Sequence, residues 1–146
     1  MGYVDENLMP GESVVHRTSL HWIVFVQPTV IFLIGLAAMR PDLAWLGFTL
    51  ILVAIIDGLS RLITFRTSEF AVTTKRVLVK EGWLRRRSLE TLLTKVEGIG
   101  VHQGLLGRVF GYGTIVVTGT GGTKEPFSRI RSPLDFRRRV QEQIAG

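Results

Sequence analysis

The sequence contains no cysteine. Disulfide frames, thiolate nucleophiles and cysteine-based zinc sites are therefore excluded, which agrees with a cytoplasmic module. Histidine is nearly as scarce. His16, His21 and His102 are dispersed, no H-E-x-x-H spacing or paired aspartate cluster occurs, and no serine or threonine has a histidine and an acid arranged near it. The residues point to no catalytic site, no metal site and no cofactor. A short basic leader is also missing. The residues ahead of the first apolar run carry Asp5, Glu6 and Glu12, so a cleaved signal peptide is not expected.

What the chain does have is apolar length near its start. Trp22 to Met39 and Leu43 to Ile56 are two apolar runs separated only by Arg40-Pro41-Asp42. A helix rises 1.5 Å per residue, so 18 residues come close to crossing a hydrocarbon core of about 30 Å, and Asp57 to Leu59 would bring the second run to similar length. Unpaired backbone groups are costly in lipid, and so short a link forces the two helices antiparallel. A transmembrane α-hairpin over residues 22–63 is the expectation. The competing reading is a pair of core helices in a soluble domain, but a chain of this size would struggle to cover two unpatterned apolar helices on every side.

Charge is distributed unevenly. From Thr64 onward 15 Lys and Arg face 7 Asp and Glu, a surplus of +8, whereas the first 63 residues hold 3 against 5, giving −2. Arg17, Arg61, Arg66, Lys75 and Arg76 crowd the open end of the hairpin and only Arg40 lies at its closed end, which predicts a multi-pass topology with both termini cytoplasmic. Trp22 and Trp45 fall where interfacial aromatics belong. Anionic lipid is the natural partner of a basic module held beside a bilayer. Nucleic acid, the other acidic partner, is not expected for a tethered module.

After residue 64 the pattern changes to short alternating strands. Ser68 to Thr73, Arg76 to Lys80, Ser88 to Leu92, Val96 to His102, Ile115 to Thr118 and Lys124 to Ile130 read as six strands of a bent antiparallel sheet, with Gly98 and Gly100 marking a bulge or bend. Gly119-Thr120-Gly121-Gly122-Thr123-Lys124 lacks P-loop spacing and reads as a hairpin tip. Ser132-Pro133-Leu134-Asp135 has the form of a capping box, and Phe136, Val140 and Ile144 make one apolar stripe of a final helix. The expected fold is thus a membrane hairpin at 22–63, preceded by a cytoplasmic segment at 1–21 and followed at 64–146 by a mainly-β module capped by one helix.

That module resembles the second bacterial pleckstrin-homology-like (PH-like) family, formerly a domain of unknown function. The resemblance is carried by Glu69-Phe70-Ala71-Val72-Thr73-Thr74-Lys75-Arg76-Val77, by Leu105-Leu106-Gly107-Arg108 leading to Gly111-Tyr112-Gly113-Thr114, by Gly119-Thr120-Gly121-Gly122, and by Pro133-Leu134-Asp135-Phe136-Arg137. It implies a PH-like fold on a bacterial inner-membrane anchor and a self-associating binding or scaffolding role, with no reaction.

Three sets of residues are candidates for that role. Lys75, Arg76, Lys80, Arg85, Arg86 and Arg87 could form a headgroup-binding edge or merely a solvated basic surface. Leu105, Leu106, Val109 and Phe110 either close the core or present an apolar edge for self-association, to which Ala54 and Gly58 would add a small-xxx-small helix contact. Asp57, an acid inside an apolar run, reads as an interfacial partner of Arg61. The alternative is a small oligomeric channel or transporter subunit with Asp57 in its path. Lipids, further copies of the chain and an unidentified membrane or cytoplasmic protein are the expected partners.

Overall fold

The computed structural model describes residues 2–82 and 87–146 and divides into two units, residues 22–66 and the remainder of the chain. The first unit is helical. A 3-10 turn at Trp22–Phe25 leads into α2 (Val26–Ala37), and α3 (Ala44–Thr67) returns as a single 24-residue helix. The second apolar run therefore extends past residue 63 to Thr67, because Asp57, Ser60 and Arg61 are absorbed into the helix: Arg61 pairs with Asp57 one turn back, and Thr64 donates to the Ser60 carbonyl. The two helices meet at glycine. A Cβ on Gly47 would lie 2.8 Å from the Gly35 carbonyl oxygen, and one on Gly35 would lie 3.1 Å from that of Gly47, so no side chain fits at either position.

The second unit begins with a single helical turn, α1 (Tyr3–Glu6), and strand β1 (Val14–Thr18), and resumes at β2 (Glu69–Thr73). Strands β3 (Arg76–Glu81) and β4 (Arg87–Leu92) complete a four-stranded antiparallel sheet in the order β1-β2-β3-β4. A second sheet holds β5 (Val96–His102), β6 (Tyr112–Gly119) and β7 (Lys124–Arg131) in sequence order. The short helix α4 (Leu105–Phe110) joins β5 to β6, and α5 (Pro133–Ala145) closes the chain. All described pairings are antiparallel, with a register shift at Val96/Gly98 as glycine there suggests. The β6–β7 connection is the glycine tip, with φ of +91° at Gly121 and +79° at Gly122.

The core lies between the sheets and α5. Phe70 and Phe127 meet edge to face at 5.9 Å, and Val72, Val77, Val79, Ile115, Val117 and Ile130 of the strands are buried, as are Phe136 and Val140 of α5. Ile144, the third residue of the expected stripe, is exposed, so the core ends one turn before the helix does.

Three expectations are corrected. The segment 1–21 is part of the module, since β1 pairs with β2 through Arg17↔Ala71 and Thr18↔Phe70. Strand β2 is buried on both faces, because Val4 packs with Ala71 and Leu78 on the side away from the main core, with Tyr3, Leu8 and Val14 around them. A third correction concerns α5, where no capping box forms: Ser132 adopts a left-handed conformation (φ 49°, ψ 57°) in place of the extended one that aims a cap oxygen at the first turn, and Asp135 pairs with Arg138.

Candidate functional site

The predicted basic edge does not assemble as a set. Lys75 is exposed, with Nζ donating to the Pro10 carbonyl at 3.1 Å, and the Lys80 ammonium sits 5.6 Å from the Tyr3 ring centroid. Arg85 and Arg86 lie outside the described residues, and Arg87 contributes backbone to β4 opposite Glu81. Arg76 turns inward. Its Nε donates to Glu12 at 3.0 Å, one terminal nitrogen reaches Glu90 at 2.8 Å, and the other is bonded to the Asn7 carbonyl. A guanidinium enclosed in this way is unavailable to a headgroup, which corrects the sequence reading.

Glu12 is the centre of that network. It is buried and accepts hydrogen bonds from Arg76, from the Met9 amide at 2.7 Å and from the Thr73 hydroxyl. Burial alone pushes its carboxyl pKa up, but those donors and the charge of Arg76 outweigh it, so Glu12 stays below the usual glutamate value and Arg76 is raised. Glu69 does similar work at the other end of β2, accepting the backbone amides of Tyr3 and Val4 at 2.9 and 3.0 Å. Together these acids tie the N-terminal segment to the sheet. Apart from Met9, their partners are more than 60 residues away in sequence, and no local pattern marks them.

The apolar residues of α4 are at the surface. Leu105 is 84% exposed, Leu106 62% and Val109 76%, which removes the core reading of this segment. The cause is a glycine. A Cβ on Gly107 would meet the Tyr112 carbonyl oxygen at 2.5 Å, so the helix rests its bare face on the start of β6 and directs its leucines outward. Gln103 fastens the arrangement by donating to the carbonyls of Gly107 (3.4 Å) and Tyr112 (3.1 Å), and Gly111 stops the helix at φ +80°. Open grooves of about 980 and 530 Å³ border the helix, and among their lining residues are His102, Arg108, Arg129 and Leu134 but no Asp or Glu.

Arg129 occupies a special position beside α4. The β6–β7 register shifts between Gly113 and Ile115, and Arg129 takes φ +58° in the resulting irregularity, a conformation unfavourable for a side chain other than glycine. Its carbonyl accepts the His21 amide at 2.8 Å, and the neighbouring Ile130 bridges Leu20. His21 is buried against the Tyr112 ring at a centroid distance of 5.3 Å, and burial lowers its pKa. His16 is also held low by burial, with the charge of Arg139 adding to the effect. Its Nε2 is buried without a hydrogen-bond partner, and its ring lies edge-on to Phe136 at 6.4 Å.

In the helical unit, Asp57 accepts from Arg61 Nε at 3.0 Å, and the same guanidinium donates to the Val24 carbonyl at 3.1 Å and to Gln27 at 2.9 Å. The expected pair exists and also cross-links the two helices. Ala54 is buried, and a Cβ on Gly58 would stand 3.7 Å from that of Pro28. Gly58 therefore faces Pro28 within the helical unit. Among the described residues no three His, Asp or Glu side chains are placed to hold a metal ion.

A mainly-β module of two antiparallel sheets with a C-terminal helix is the PH-like fold, and it defines a class of binding modules. The family model for the bacterial PH domain matches residues 29–144, and the chain belongs to that family. The matched span takes in most of both hairpin helices as well as β2 to α5. No curated protein and no solved structure matches the chain.

Proposed function

We propose that the protein is a membrane-anchored, non-enzymatic PH-like binding module, held in the bacterial inner membrane by residues 22–66 with both termini in the cytoplasm. The observation that carries this reading is α3. It is 24 residues long, apolar enough by composition to cross a bilayer, and leaves Trp45, Phe48, Ile56 and Leu59 more than half exposed, a surface that suits lipid and not water. The companion segment Trp22–Ala37 is shorter, 16 residues or about 24 Å as a helix, and fits a thinned or locally adjusted bilayer.

Strand pairing adds a topological constraint. Because β1 precedes the hairpin, β2 follows it and the two are hydrogen-bonded, the pairing supports a reading in which both ends of residues 22–66 emerge on the same side and the segment crosses twice. The excess of Lys and Arg after residue 64 supports the cytoplasm as that side. Conduction through Asp57 draws no support from the geometry, since Arg61 neutralises the carboxylate and is itself bound to the other helix. Reporter fusions at residues 1 and 146 test the proposal. Cytoplasm-dependent reporters should be active at both positions, and a periplasm-dependent reporter active at either one overturns it.

A further inference from the structure

We propose that α4 is a membrane-insertion wedge: Leu105, Leu106 and Val109 enter the interfacial layer of the bilayer that carries the chain's own anchor, with Arg108, Arg129 and Arg131 on its anionic headgroups. The proposal rests on the membrane reading above and adds a specific contact site to it.

The first support is the way the helix is built. A six-residue helix set on a sheet by its glycine, clamped by Gln103 and ended by a left-handed glycine has no internal use for two leucines and a valine, yet displays all three. Fixing the backbone by polar contacts means the apolar side chains are presented without a further ordering cost, which favours insertion. Their surroundings supply the electrostatic half. Arg108, Arg129 and Arg131 are exposed, His21 lies within the electrostatic influence of Arg131, and no acid is among the described residues lining either groove beside the helix. Apolar side chains flanked by arginines match an anionic interface, where each nearby cation adds attraction and the apolar side chains enter the acyl boundary.

The second support is position within the module. The chain leaves for the hairpin at His21, whose amide is bonded to Arg129 and whose ring lies against Tyr112, the residue two places after the end of α4. The bulge that puts Arg129 at φ +58° thus belongs both to the exit of the chain and to the groove lined by Leu105 and Leu106. Within the module, the residue from which the chain leaves for the anchor is thus in contact with the strand and the bulge that border the wedge. A second copy of the chain could cover the same side chains, but it would bring the same arginines to the contact, and like charges facing each other oppose it.

The absence of native cysteine makes the test direct. Single cysteines introduced by Leu105→Cys, Thr123→Cys and Ile55→Cys in the full chain are labelled with an environment-sensitive fluorophore, and the protein is reconstituted into vesicles of phosphatidylethanolamine and phosphatidylglycerol. Lipids carrying a quencher at shallow acyl depth should quench the labels at 105 and 55 but not at 123 on the exposed glycine tip, and Arg108→Glu with Arg129→Glu should abolish quenching at 105 alone. Quenching at 55 without quenching at 105 overturns the wedge and leaves the anchor standing. Loss at both positions overturns the membrane reading with it. A label at 105 that is shielded from an aqueous quencher yet untouched by the lipid quencher shows protein covering α4, and that also overturns the proposal.

Discussion

Removing the Arg76 guanidinium should be among the most destabilising single changes outside the apolar core. Glu12 has a side chain with no exposed surface, and that of Arg76 is 11% exposed, so solvent screens their 3.0 Å contact little. In Arg76→Met, Glu12 keeps only the Met9 amide and the Thr73 hydroxyl, and a buried carboxylate loses its countercharge. Breaking a buried pair from one side costs about 3–5 kcal/mol. Glu12→Gln should cost less, about 1–3 kcal/mol, because Arg76 retains Glu90 at 2.8 Å and the Asn7 carbonyl. The double variant should be less destabilised than the sum of the two, which a double-mutant cycle reads directly. Hydrogen exchange of the Val14–Thr18 amides in the detergent-solubilised full chain is the assay, since the network ties that segment to β2 and β3. The pH dependence carries a sign: Glu12 is lowered in the folded protein from its ordinary value of 4.5, so its contribution is present above that value and is lost as pH falls through the depressed one. If Arg76→Met leaves exchange at β1 unchanged at neutral pH, the network is not holding the N-terminal segment and the reasoning fails.

Three further expectations are independent of that network. His16 is held neutral by burial below its ordinary value of 6.5, so the unfolded chain binds the extra proton first, and stability should fall as pH drops from about 6.5 toward the depressed value. Replacing it in His16→Leu should remove this acid limb from a thermal-unfolding profile, and an unchanged profile refutes the assignment. In the hairpin, Pro28→Cys with Gly58→Cys should form a disulfide under mild oxidation, because the 3.7 Å spacing of the Cβ positions is within disulfide range; failure to close would mean a different helix register. Gly47→Leu should prevent that closure, since its side chain would meet the Gly35 carbonyl at 2.8 Å, with an overpacking cost of about 1–3 kcal/mol. Gel mobility without reductant reports both results.

Much of this architecture follows from the sequence by itself, because it depends on short-range physics. Apolar length set out two antiparallel helices, and the four-residue spacing of Asp57 and Arg61 set out their ion pair. Period-two alternation located the six strands after residue 64, although Ile115–Thr118 proved to be the middle of the longer strand Tyr112–Gly119. Glycine chemistry located the tip at Gly121-Gly122.

What only the tertiary structure decided is which distant segment covers each exposed face. Alternation in Phe70-Ala71-Val72 marks one face as apolar, but Ala71 and Leu78 on the other are buried by Val4, more than 60 residues earlier. Arg76 has the composition of a surface basic residue, and it is inward because Glu12, 64 residues earlier in the sequence, reaches it. Leu105, Leu106 and Val109 have the composition of a core segment, and they are outward because Gly107 is the face that fits the Tyr112 carbonyl. Local pattern encodes how a segment can fold and which residues could be buried. The partner that buries them, or its absence, comes from contacts made only once the remote parts of the chain have met.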